Sequence, residues 1–181
     1  MHFFDRYALG KSKSDLMITI RFDVNDSGLR DKFLRYLLLN ALAPLSEDEM
    51  PRWGRMTPQQ MVEHLVWAFE LSTGQEHSDC PFSVPERERA MAFLYDDRPS
   101  PREFMNPALV AGIPPLRYAS LVDAKIALGV EVRRFLQQLT TTPDGMYTHQ
   151  VFGPIGVEEW SRTHFKHGYH HLLQFGLLEE E

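Results

Sequence analysis

Between Val157 and Phe175 the chain has the 3.6-residue periodicity of a helix, yet imidazoles stand where the buried stripe of that helix should hold leucines. Trp160, His164, His167, His171, Gln174 and Leu178 follow one another at steps of four, three, four, three and four, so they form one continuous row. Trp160 and Leu178 bracket the row, which predicts that it faces the interior. A polar ring buried without a partner costs on the order of 1–3 kcal/mol. A fold that accepts this helix must therefore bring something to three rings at once.

Three other stretches carry helical periodicity. The first runs from about Leu29 to Ala43; Asn25, Asp26 or Ser27 can cap it, and it stops before Pro44. The second has the clearest start, with Thr57 as N-cap, Pro58 at the first helical position and Gln60 completing a capping box, and Gly74 is its stop. The third runs from about Ser120 to Leu139, with Leu121, Ala124, Leu128, Val132, Phe135 and Leu139 on one face. The histidine-bearing helix comes last and ends at Gly176, which is expected to be left-handed. Between the second and third helices, Pro81, Pro85, Pro99, Pro101, Pro107, Pro114 and Pro115 punctuate residues 75–118. That segment is expected to be mostly irregular, with a short helix around Glu86 to Tyr95. Four amphipathic helices with little strand signal predict an all-α fold, a four-helix bundle with a long proline-rich connection between helices 2 and 3.

Length fits one domain, residues 25–181, preceded by a segment, 1–24, whose order the sequence does not define. Nineteen Lys plus Arg against 25 Asp plus Glu leave a formal net charge of -6, and no basic stripe interleaved with aromatics occurs, so no nucleic-acid partner is expected. Cys80 is the single cysteine, which excludes an intramolecular disulfide and any C-x-x-C signature. No stretch approaches the roughly 20 apolar residues of a membrane span, and Asp5, Arg6, Lys11, Lys13 and Asp15 interrupt any signal-peptide core. No membrane partner and a cytoplasmic location are expected.

His167 and His171 stand one helical turn apart, the relation that lets two imidazoles of one helix meet on a single metal ion. The best third ligand is His64 in the second helix, since Met61, Ala68 and Leu71 share its face. At about 1.5 Å per residue, His64 lies roughly 10 Å from the start of its helix and the His167–His171 midpoint roughly 9 Å from the end of the other. The levels match if the two helices run antiparallel. Gln60 and Gln174 are candidate acceptors that orient the ring nitrogens. His164 shares the row a turn earlier and is expected to support the ligands or to bond near Trp160, whereas His170 is rotated off the row and structural. His2, His77 and His149 read as surface or loop residues, Glu63 as a solvated carboxylate, and Trp67 and Trp160 as core. Neutral imidazoles accept nickel, zinc, iron or copper, so the ligands alone do not name the ion. Three ligands leave a position for water or a thiolate.

Two blocks, "RWGRMTPQQMVEHLVWAFE" at 52–70 and "HQVFGPIGVEEWSRTHFKHGYHHLLQFGL" at 149–177, resemble the DinB-like superfamily and cover about a quarter of the chain. The resemblance implies an up-down-down-up four-helix bundle and a metal held by a histidine of helix 2 and a His-x-x-x-His pair of helix 4, here His64, His167 and His171. It implies a second histidine before the last ligand and a glutamine after it, matched by His170 and Gln174. It also implies nickel or zinc, a homodimer, and, in relatives of known activity, transfer or isomerisation with a low-molecular-weight thiol. Gln150 departs from the pattern, where the family's turn carries proline. Three readings follow: an enzyme acting on a small-molecule substrate, its catalytic residues not named by the sequence; a non-catalytic metal-binding or interaction bundle; and a metal-free bundle with a histidine hydrogen-bond network.

Overall fold

The computed structural model describes residues 18–102 and 114–179; His2, Pro107 and most of the 1–24 segment lie outside them. Each of the predicted helices forms, for local reasons visible in its caps. Helix α1 (Ser27–Lys32) starts where the Asp26 carboxylate accepts from the Leu29 N–H. It continues through a π-helical turn, Phe33–Leu37, in which the Leu38 N–H reaches back to the Phe33 carbonyl, and into α2 (Leu38–Leu42). Helix α3 (Pro58–Ser72) begins with the complete capping box: Thr57 Oγ1 accepts from the Gln60 N–H, and Gln60 Oε1 accepts from the Thr57 N–H. Helix α4 (Val84–Tyr95) is the short helix expected in the proline-rich stretch, and α5 (Leu121–Thr141) is capped by Ser120. Helix α6 (Val157–Gln174) ends on left-handed Gly176, φ +65°, with Leu177 N–H bonded to the Leu172 carbonyl and Gly176 N–H to that of Leu173. Leu178 therefore lies beyond the helix.

Four short strands depart from the sequence reading. Strand β1 (Ile18–Thr19) pairs in parallel with β4 (Leu178–Glu179), and β2 (Met146–His149) pairs antiparallel with β3 (Gly153–Gly156) in the register Met146↔Gly156 to His149↔Gly153. The β2–β3 hairpin has little β propensity, being rich in Gly and Pro. It is closed instead by the His149 ring, whose Nδ1 accepts from the N–H groups of Val151 and Phe152 at 3.0 and 3.4 Å.

Helix α3 packs against both α5 and α6. Its contacts fix the directions. Phe69 meets Phe135 at 5.9 Å between ring centres and the Ser72 carbonyl accepts from Gln138 Nε2 at 2.7 Å, whereas Gln59 bonds Tyr118 just ahead of α5, so α3 and α5 run parallel. Ascending α3 from His64 to Ser72 means descending α6 from His167 to His164, so those two run antiparallel, as the level estimate requires. Arg30 bonds Ser161 while Phe33 and Leu38 face Gly168, which makes α1–α2 parallel to α6. The result is a mostly helical fold around one apolar core that includes Phe33, Leu38, Met61, Phe69, Phe135 and Trp160. The buried Lys166 ties the end of α4 to α6 by donating to the carbonyls of Asp96 and Arg98, and burial lowers its pKa to about 8. Among the described residues no helix is long and apolar enough to cross a membrane.

Candidate metal centre

The antiparallel α3 and α6 bring three imidazoles to one point. His167 Nε2 lies 2.8 Å from His64 Nε2 and 2.9 Å from His171 Nε2, and one ring nitrogen from each of the three falls within 4.8 Å of the others. A neutral imidazole nitrogen has one in-plane site, holding either a proton or a lone pair. His167 Nε2 therefore cannot make a linear hydrogen bond to both neighbours.

The proton positions sharpen this. Gln174 Nε2 donates to the Trp53 carbonyl at 2.9 Å, which turns its Oε1 toward His171 at 2.7 Å from Nδ1. An amide oxygen only accepts, so His171 carries its proton on Nδ1 and presents a bare lone pair at Nε2. Burial, followed by the neighbouring histidines, holds His167 and His171 well below the ordinary imidazole pKa, and burial brings His64 to about 4. All three rings are thus neutral at pH 7, the state a metal ligand needs. A shared cation would satisfy all three converging ring nitrogens, which no single proton can. The donor set, three neutral imidazoles, fits a divalent transition-metal ion without naming it.

Backbone approach makes the Gln174 bridge feasible. Gly54, at φ +82°, lies so close to Gln174 that a Cβ there would sit 2.6 Å from Nε2. A side chain at this position would push the Trp53 carbonyl away from the amide.

The cluster opens on one side. His171 is buried, whereas His64 and His167 are half-buried, and His64 reaches a cleft of about 300 Å³ whose apolar lining is Met56, Trp67, Pro114, Pro115 and Leu116. Trp67 was expected in the core with Trp160. Trp160 is there, 1 % exposed, but Trp67 is half-buried and faces the cleft. Its position three residues after His64 was the available signal, since that spacing puts the two on one side of the helix.

Glu63 also departs from expectation. It is 7 % exposed: its oxygens accept from Gln59 Nε2 at 2.9 Å and from the backbone N–H groups of Arg117 and Tyr118 at 2.6 and 3.2 Å. About two turns further along α3, Glu70 takes both terminal nitrogens of Arg117 at 2.6 and 2.7 Å. These two acids pin residues 117–118 beside the cleft. No local sequence pattern announces this role, because Arg117 and Tyr118 lie 47–55 residues away.

The remaining candidates sit elsewhere. The Gln60 carbonyl oxygen is engaged by the Thr57 N–H, and its residue lines the cleft. His164 is buried in the core, stacked on Phe69 at 3.7 Å between ring centres and bonded through Nε2 to Ser72 Oγ at 2.8 Å. His170 packs edge-on to Trp53 and His171 and bonds the backbone of Ser100. His149, read as a surface or loop residue, is wedged between Phe152 and Trp160 at the end of β2, where burial lowers its pKa to about 3. His77 is exposed.

No protein-family model, curated protein or solved structure matches the chain.

Proposed function

We propose that this chain is a metal-dependent enzyme of the DinB-like type, in which His64, His167 and His171 hold a divalent ion, nickel or zinc, beside a cleft for a small-molecule substrate. The observation that carries this reading is the convergence of three neutral Nε2 atoms, with one of the three residues, His64, also lining an open cleft. Three protein ligands with an open side is the arrangement of catalytic rather than structural zinc sites. A divalent ion bound there supplies Lewis acidity, lowering the pKa of a water or a low-molecular-weight thiol for hydrolysis or transfer. Gln174 keeps the His171 lone pair aimed at the centre, and the apolar lining keeps bulk water from the reacting groups. The pairwise helix directions support the up-down-down-up bundle that the same reading implies.

A second reading, a non-catalytic metal-binding bundle, is favoured by one fact: the cluster joins α3 to α6 and so would strengthen the packing of the fold. Elemental analysis of protein purified without an affinity tag, followed by assay of the metal-loaded protein on p-nitrophenyl esters and on thiol transfer, separates the two. The enzymatic reading expects about one ion per chain and turnover that falls by about two orders of magnitude or more in His171→Ala with helical circular dichroism retained. Turnover unchanged in that variant overturns it. Absence of activity together with a large fall in melting temperature on chelation establishes the second reading instead.

A further inference from the structure

The charged side chains lining the cleft beside His64 are, with one exception, already engaged. Glu63 accepts from two backbone N–H groups and the Gln59 amide, the Gln60 carbonyl is held in the helix cap, and the guanidinium of Arg117 is clamped in a two-point pair with Glu70. The exception is Glu76. It is exposed at the cleft, and its carboxylate makes no hydrogen bond or salt bridge among the described residues. Arg117 pairs with Glu70 and is also attracted by Glu76, so three carboxylates, Glu63, Glu70 and Glu76, stand around one guanidinium and the cleft keeps a net negative charge. The clamped Arg117 is the sole cationic side chain in the described lining, His64 being neutral.

We propose that this cleft seats the non-reacting part of the substrate and selects an apolar group that is uncharged or cationic, with a cation placed at Glu76 and Trp67. An ammonium there gains both a carboxylate and an aromatic neighbour. An anion entering the same space meets two carboxylates and no unpaired cationic side chain, and loses its hydration in an apolar cleft. The proposal rests on the reading that the cleft serves the histidine cluster. It also bears on the nucleophile: a thiol carrying carboxylates is disfavoured here, and water is the better fit.

The test is calorimetric titration of the full-length, chelator-stripped protein with benzylamine, benzyl alcohol and phenylacetate, which share one ring and differ in charge. Leaving out the metal prevents phenylacetate from binding an ion directly. Benzylamine is expected to bind about tenfold tighter than phenylacetate, the ratio that one or two such charge contacts give. Glu76→Gln should bring benzylamine to the level of benzyl alcohol and leave the alcohol unmoved, while Trp67→Ala should weaken all three. Phenylacetate binding as tightly as benzylamine, no change for benzylamine in Glu76→Gln, or no binding of any probe overturns the proposal. Charge selection in a protein that takes up no metal would sink the metal reading and leave only the cleft's charge preference standing; metal uptake without charge selection would overturn the proposal and leave the metal reading intact.

Discussion

A single amide decides what His171 offers. Gln174 is held between the Trp53 carbonyl and His171 Nδ1, and only one orientation of its side chain satisfies both. Replacing Gln174 with Ala should therefore lower metal affinity by about 10–100-fold, as loss of a ligand's hydrogen-bond partner does elsewhere. Competition with a chromogenic chelator measures this, and equal affinity in the variant would show that the ring orients itself. The three candidate ligands and Gln174 were legible because they obey helical spacing. Gln60 was legible in two incompatible roles: the capping-box pattern that starts α3 already claims the carbonyl that would orient a ring. Glu63 and the Trp53 carbonyl were not legible. One depends on a backbone 54–55 residues distant and the other is a main-chain group that no side-chain pattern encodes.

At the level of elements, helix limits were readable where capping chemistry is strong, as at Thr57 and Gly176, and the β2–β3 hairpin was not, because a histidine ring rather than strand propensity closes it. The π-helical turn had no sequence signal either. It lies where α1–α2 meets α6 at Gly168, and a Cβ on that glycine would stand 2.9 Å from Phe33 Cε1 and 3.1 Å from Leu38 Cδ1. A helix-interior glycine normally costs about 1 kcal/mol relative to alanine. Here the overpacking of Gly168→Ala, about 1–3 kcal/mol, outweighs that gain. The variant should unfold at lower urea concentration with unchanged metal stoichiometry. A stabilised variant would mean that Phe33 yields at no cost.

Across the whole molecule, six of the eight histidines titrate below their ordinary value because folding buries them. The unfolded chain takes up protons near pH 6.5, while the folded chain refuses them until about 4 at His64 and about 3 at His149. Below pH 6.5 the unfolded state thus binds more protons, and stability falls as pH falls, by up to about 1.4 kcal/mol per pH unit for each such ring. Metal-free protein should have a distinctly lower urea midpoint at pH 5 than at pH 7; equal midpoints would mean that the rings are solvated. The same two helices that carry the rings are far apart in sequence, His64 and His167 being 103 positions apart. An ion gripped by both would act as a reversible staple between the two halves of the chain, worth about 2.7 kcal/mol when free metal stands at a hundred times its dissociation constant. Resistance to proteases would then follow the cell's metal supply.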